Sequence, residues 1–263
     1  RGEFMKEQVY RKLVELSNGK ISSALLKKIS TAKISKTLIP GYIKFYDINT
    51  KEVSNNIKEF KSLHHFFVRT LKEDVRPIVQ GDRIFTSPVD AKIESFGSIT
   101  SDITFVVKEK QYSIHDLLGN PEMAQKYRDG QFIVFYLSPA DYHRMHSPMS
   151  GEVTKQYILG QKSYPVNQMG LTYGKKPLSH NYRMISELKY GDKHYTFIKV
   201  GAMFVNSIEL TNTSTKWKKG EEVGYFTFGS TVVMLFEKDA IQFTENVKQG
   251  ASIKVGEAFA TML

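Results

Sequence analysis

The densest run of reactive side chains is Ser138-Pro139-Ala140-Asp141-Tyr142-His143-Arg144-Met145-His146-Ser147-Pro148, directly after the apolar run Phe132 to Leu137. Two imidazoles three residues apart, in a segment closed by Pro148, can serve one pocket as proton donor and proton acceptor near neutral pH. Zinc takes three or more protein ligands, and beyond Asp141 no further candidate stands nearby, so the segment reads as proton chemistry rather than a metal site. With nothing else pointing here, turn histidines facing water would be the plainer reading.

A second anomaly is Phe228-Gly229-Ser230-Thr231, flanked by Tyr225 to Thr227 and by Val232 to Phe236. Glycine weakens a strand, and serine puts a hydroxyl where core residues belong. Such a break marks either a bulge with a satisfied serine or backbone diverted for chemistry. Asp90 follows Ser87-Pro88-Val89 just before another strand-type run, where a carboxylate caps a turn or orients a histidine. For Asp90 alone the turn is the commoner outcome.

The elements that would carry these residues change character along the chain. From Ile84 onward the pattern predicts short strands at Ile84–Phe85, Ala91–Ile93, Phe105–Val107, Phe132–Leu137, Glu152–Leu159, Tyr195–Val200, Phe204–Leu210, Val223–Phe228 and Thr231–Phe236, interrupted by a helix near Ile114–Leu118 and a polar segment from Pro121 to Arg128. Before Ile84 the spacing is helical. Val9, Leu13 and Leu16 repeat until Asn18-Gly19, and Leu25, Leu26, Ile29, Ile34, Leu38 and Ile39 continue until Pro40-Gly41. A further helix is expected over Leu63 to Lys72, burying Phe66, Phe67 and Leu71.

The fold class is therefore α+β, a mostly β body with amphipathic N-terminal helices. Ser87-Pro88-Val89-Asp90-Ala91-Lys92-Ile93 resembles Ser147-Pro148-Met149-Ser150-Gly151-Glu152-Val153, and Lys219-Gly220-Glu221-Glu222-Val223-Gly224 resembles Lys254-Val255-Gly256-Glu257-Ala258. Both patterns occur in barrel-sandwich hybrid domains, which predicts a duplicated core of that kind. The chain divides into residues 1–4, read as a cloning scar before Met5, a basic helical region over 5–80, and a β-rich domain over 81–263.

Composition narrows the function. The chain has no cysteine among its 263 residues, which excludes disulfides, thiolate zinc sites and cysteine nucleophiles. No run of about 18 apolar residues is present, and an intracellular chain is expected. The net charge is +10, and Met5 to Tyr46 alone carries +7 of it. That asymmetry points to a polyanionic partner or to a solvated helical layer packed on the body. RNA would call for aromatics interleaved with the basic residues on an exposed sheet, and Tyr10, Tyr42 and Tyr46 are too few, so no nucleic acid is expected. An ordinary serine hydrolase would want a Gly-x-Ser-x-Gly elbow, which Ser230 lacks.

Taken together, Phe228-Gly229-Ser230-Thr231, Tyr142 to Pro148, Ser87 to Asp90, Phe67-Val68-Arg69-Thr70-Leu71-Lys72 and Val200 to Ile208 resemble the phosphatidylserine decarboxylase family in its bacterial proenzyme form. Phe228 stands where leucine is commonest. The resemblance implies that the chain cuts itself between Gly229 and Ser230: Ser230 attacks the Gly229 carbonyl, with His146 as base and Asp90 orienting it. It further implies that Ser230 becomes a pyruvoyl group, a ketone that accepts the electron pair left when carbon dioxide departs, so neither pyridoxal phosphate nor metal is needed. His143 is the expected proton donor to the α carbon. The implied partners are phosphatidylserine, an anionic membrane surface on the cytoplasmic face, and the two self-cleaved chains held together; a homodimer is also admitted.

Overall fold

The computed structural model describes residues 28–162, 164–201, 208–227 and 230–263. Residues 1–4, the expected helix at Val9–Leu16, most of the basic stretch, Phe204–Val205, Phe228 and Gly229 lie outside them. At the centre is an antiparallel sheet of eight strands in the order Lys216–Trp217, Gly151–Leu159, Arg183–Tyr190, Lys193–Gly201, Ser230–Phe236, Gln131–Leu137, Ala91–Ser98 and Ser252–Ile253. The strand Ser230–Phe236 is buried at every residue and pairs along both edges. Ser230 lies between Leu137 and Gly201, and Phe236 between Gln131 and Tyr195. Alternation sends Val232, Met234 and Phe236 into one core with Phe135, Phe197 and Phe259, and Val233 and Leu235 into another with Phe105, Leu117 and Tyr127. Ser230 therefore belongs to the face of Val232, and Thr231 to that of Val233.

Two three-stranded sheets flank the centre. One joins Ile208–Leu210, Glu222–Phe226 and Arg144–His146; the other joins Ile84–Thr86, Ala258–Met262 and Ile241–Phe243. The repeats noted in the sequence meet here as matching turns. Ser87 Oγ donates to the Val89 carbonyl at 2.7 Å, and Ser147 Oγ to that of Met149 at 2.8 Å. The Ser87 N–H donates to Glu257 and the Ser147 N–H to Glu221, each at 2.8 Å, and Gly256 and Gly220 donate back to the same two serines. Gly220 and Gly256 hold φ of +79° and +88°, and a Cβ at either would run into Ile78, so only glycine turns both corners without strain. The fourth residue of each repeat caps the opposite turn: Asp90 Oδ1 accepts from the Val255 N–H at 2.9 Å and Ser150 Oγ from the Lys219 N–H at 3.0 Å.

The N-terminal region differs from the expectation in two places. Pro40 starts a helix rather than stopping one: Ile39–Tyr46 is helical with proline in its first turn, where the missing N–H costs nothing, and it ends at Asp47 in the left-handed region. The second helix covers Leu63–Phe67 only. It stops because Arg69 turns away to bond the Ala140 carbonyl while Leu71 bridges Val53. Phe66 and Phe67 are buried as expected, and Leu71 is half-buried. Ile39, Ile48, Val53, Phe60 and Phe66 form a small core of their own.

One long strand, Arg183–Tyr190, escaped the pattern because two charged residues point inward. Arg183 donates to the carbonyls of Leu117, Asp116 and Asn181, and Glu187 accepts from Lys126, Tyr127 and Thr154. Lys199 is the third inward charge. It is fully buried, with Nζ 2.6 Å from Ser186 Oγ and 4.5 Å from the Phe197 ring centroid, and among the described residues no carboxylate pairs with it. Burial pushes its pKa down to about 7. Because the folded value lies below the unfolded one, the unfolded chain holds more protons and stability should rise with pH between about 7 and 10. Lys199→Met should remove that slope, raising the thermal midpoint more at pH 7 than at pH 10; an equal change at both would contradict it.

Candidate active site

The strand Gln131–Leu137 delivers the chain into a tight turn. The Ser138 N–H donates to Asp141 Oδ2 at 2.7 Å, and the Asp141 N–H returns to the Ser138 carbonyl at 3.0 Å. The N-terminal layer clamps this turn from outside. Arg69 Nη2 donates to the carbonyls of Ala140 and Asp141 at 2.7 and 3.0 Å, and the Tyr42 hydroxyl to that of Pro139 at 2.7 Å. Arg144 adds a bond to the Val68 carbonyl at 3.0 Å and an ion pair with Glu222 at 2.7 Å.

His143 is wholly buried, with its ring 4.0 Å from that of Phe67, centroid to centroid. Its Nδ1 lies 2.9 Å from the Asp141 carbonyl, which can only accept, so the proton sits on Nδ1 and Nε2 is bare. Among the described residues that Nε2 has no hydrogen-bond partner. Burial, then the nearby Arg69 charge, pushes the pKa of His143 down to about 3, so the ring is neutral at pH 7.

His146 lies on the short strand Arg144–His146, whose N–H donates from His146 to the Pro88 carbonyl at 2.8 Å. Its Nδ1 lies 2.9 Å from the Gly220 carbonyl and its Nε2 3.2 Å from the Tyr142 hydroxyl. Burial lowers its pKa too.

The Asp90 carboxylate, to which the resemblance gives the orienting of His146, is bonded by an arginine and a backbone N–H. It takes Arg76 Nε at 2.9 and 3.0 Å, Arg76 Nη2 at 2.6 Å and the Val255 N–H at 2.9 Å. Arg76 reaches on to Glu52 at 2.7 Å. Asp90 and His146 make no hydrogen bond to each other among the described residues; the Gly220 carbonyl holds the nitrogen that a carboxylate would have held. His146 is tied to the Asp90 turn by its N–H bond to Pro88, two residues before Asp90, and the Asp90 charge acts on the imidazole through space, favouring its protonated form. Arg69, Arg76, Asp90, Asp141, Tyr142 and Lys254 line a cavity of about 240 Å³ between the N-terminal layer and the body.

Ser230 heads the central strand with its Oγ buried and, among the described residues, without a hydrogen-bond partner. Leaving a buried hydroxyl unpaired costs about 1–3 kcal/mol, and a strand that could carry alanine there retains the serine. His143 Nε2 is a buried orphan of the same kind. Ser230 thus sits opposite Leu137, where the histidine segment begins, and each of the two buried imidazoles of that segment is oriented by a backbone carbonyl. Arg69 was legible as part of a motif. Arg76 and Gly220 were not singled out for chemistry, although the Lys-Gly-Glu repeat containing Gly220 was the signal that could have drawn attention to it.

A family profile described as phosphatidylserine decarboxylase matches residues 63–261. The chain belongs to the phosphatidylserine decarboxylase family. A phosphatidylserine decarboxylase proenzyme of Geobacillus sp. (strain WCH70) is 51% identical over 253 residues, covering 96% of this chain and 98% of that protein. Proteins of the same name from Bacillus thuringiensis subsp. konkukian (strain 97-27) and Bacillus cereus (strain 03BB102) are each 48% identical over 259 residues, covering 98% of this chain and 99% of theirs. Of the site residues named in this subsection, Tyr42 and Glu52 fall outside the span matched by the family profile.

The clamp on the histidine turn yields a direct test. Two hydrogen bonds from a charged donor contribute roughly 1.5–3 kcal/mol each, so Arg69→Ala should lower the thermal midpoint by several degrees and Arg69→Lys, which lacks the fork, by nearly as much. A midpoint unchanged in Arg69→Ala would show that the turn holds its shape unaided.

Proposed function

We propose that the chain is a proenzyme that cuts itself between Gly229 and Ser230 and then decarboxylates phosphatidylserine to phosphatidylethanolamine. The observation that carries this reading is the buried Ser230 hydroxyl at the head of the central strand, without a partner among the described residues, in a chain matched over 96% of its length by a relative named as a proenzyme.

The first reaction uses only the chain's own atoms. Ser230 Oγ attacks the Gly229 carbonyl and its proton passes to a base, for which neutral His146 is suited. The Gly229–Ser230 amide becomes an ester. Loss of the Ser230 α proton expels the Gly229 carboxylate, and water then replaces the nitrogen of residue 230 and releases ammonia, leaving a pyruvoyl end. Ser230 fits that fate because, among the described residues, its Oγ has no structural bond to lose. A ketone there supplies the electron sink that decarboxylation requires and that no ordinary side chain offers.

His143 is the proton carrier of the second reaction in this reading. It is neutral at rest, so the proton it gives to the α carbon must first be collected, and the substrate's ammonium is the group that has to lose one. Asp90 acts by position. With Arg76 it fixes the turn from which Pro88 holds the His146 backbone, rather than bonding the imidazole itself.

The duplicated turns support a barrel-sandwich-hybrid-like core over residues 81–263, with the N-terminal region as its membrane-facing part. Ile34 and Phe45 are 78% exposed and Leu38 is 53% exposed, interspersed with Lys28, Lys33, Lys36 and Lys44. Apolar tips among lysines suit peripheral docking to an anionic cytoplasmic surface, where each lysine contributes about 1 kcal/mol.

Ser230→Ala, His146→Ala and Asp90→Ala should each leave an intact chain that releases no carbon dioxide. His143→Ala should still be cut, at least partly, yet turn over little substrate. Gel analysis beside a carbon dioxide release assay reads both steps on one sample, and an uncut His143→Ala with a normally processed His146→Ala would reverse the two roles. In vesicle flotation the chain should prefer anionic lipid, lose binding as salt rises, and lose most of it in the Ile34→Asp, Phe45→Asp double variant. Equal recovery on neutral lipid, or an unaffected double variant, would return these side chains to a packing role.

A further inference from the structure

His146 presents a problem that its geometry solves without a carboxylate. A general base in a self-cleaving chain needs its proton on one known nitrogen and its other nitrogen aimed. Asp90 does neither, because Arg76 and the Val255 N–H take its oxygens. The Gly220 carbonyl, 2.9 Å from Nδ1, fixes the proton there. That carbonyl is itself fixed, since Gly220 sits in the repeated corner whose N–H donates to Ser147 and whose φ of +79° admits no other residue without strain.

The other nitrogen meets Tyr142. The phenol is 6% exposed, and its oxygen lies 3.2 Å from Nε2, four residues back along the same segment. Burial holds the Tyr142 pKa above its ordinary value, so the phenol keeps its proton and donates it toward the bare Nε2. Tyr142 also lines the cavity that Arg69, Arg76, Asp90 and Lys254 enclose, which places it between that space and the imidazole. The charged groups bearing on His146 are Glu222 and Asp90 on one side of the balance and Arg144 on the other. Glu222 is paired with Arg144 and Asp90 with Arg76, so no unpaired carboxylate competes for the ring.

We infer that Tyr142 is a positioning residue for His146: its hydroxyl holds Nε2 while the Gly220 carbonyl holds Nδ1, so the base is clamped at both nitrogens by neutral groups. The inference rests on His146 being the base for its consequence in self-cleavage, but the clamp itself is independent of that role. Held this way, the ring is a single tautomer pointed in one direction. The one Nε2 lone pair accepts from Tyr142 or from Ser230 but not from both, so the phenol turns its hydrogen away as the Ser230 proton arrives, and its oxygen then accepts from Nε2–H.

The test uses the full chain carrying Ser230→Ala, which stays intact, with histidine labelled in both ring nitrogens and the His146 signals assigned by His146→Gln. Nitrogen-15 spectra should show His146 with its proton on Nδ1 and an Nε2 resonance displaced by a hydrogen bond. Adding Tyr142→Phe should move that Nε2 resonance downfield, toward the value of an unbonded nitrogen, while the Nδ1 proton stays. In the chain with native Ser230, Tyr142→Phe should slow self-cleavage by tenfold or more, with a thermal midpoint within a few degrees of the parent. An unmoved Nε2 resonance, a proton found on Nε2, or self-cleavage at the parent rate or faster would overturn the clamp. If the spectra show the clamp but His146→Ala self-cleaves normally, the clamp stands and the assignment of His146 as base falls instead.

Discussion

The site depends on the double pairing of the strand Ser230–Phe236. Hydrogen-bonded on both edges and buried over its full length, that strand cannot slide by one residue without exchanging its two core faces. Ser230 is therefore held at one depth and on one face, with Leu137 and Gly201 beside it. The same strand Gln131–Leu137 that pairs with it leads into the histidine turn, so one register relation places the hydroxyl and the imidazoles in a common frame. An unpaired buried hydroxyl is tolerable there because the large apolar cores on both faces supply the stability that it costs.

Around that fixed strand, orientation comes from backbone. His143 and His146 are each aimed by a carbonyl oxygen, and those carbonyls belong to turns that are themselves pinned: Asp141 by Arg69, and Gly220 by its bond to Ser147. The carbonyl bonds, and for His146 the Glu222 and Asp90 charges as well, favour the protonated ring, but burial outweighs them and lowers the pKa of both imidazoles. Four of the charges near the site are held in ion pairs, Asp90 with Arg76 and Glu222 with Arg144, while Arg69 is held by backbone carbonyls.

Much of this was legible in the sequence. The strand over Thr231–Phe236, the break before it and the two histidines all stood out, because a polar pair within an apolar run and two imidazoles in a proline-bounded segment violate local expectation. The short turn repeats proved to be matched corners in space, down to Asp90 and Ser150 capping equivalent N–H groups. What stayed hidden was tertiary. Arg183 and Glu187 concealed the strand Arg183–Tyr190, since their inward charges find carbonyls and partners that no alternation pattern records. Pro40 read as a stop, although a proline suits the first helical turn equally well. The engagement of Asp90 with Arg76 rather than with an imidazole depends on a contact across fourteen residues that spacing alone does not encode.

The most direct test of the account is denaturing mass spectrometry of catalytically active protein, with tandem sequencing of any small fragment. The account predicts a chain ending at Gly229 and a second chain of 34 residues spanning 230–263, lighter than a serine-started fragment by the mass of one ammonia and blocked at its N-terminus. Active material consisting of one full-length chain, or a small chain that begins with unmodified serine, would contradict it.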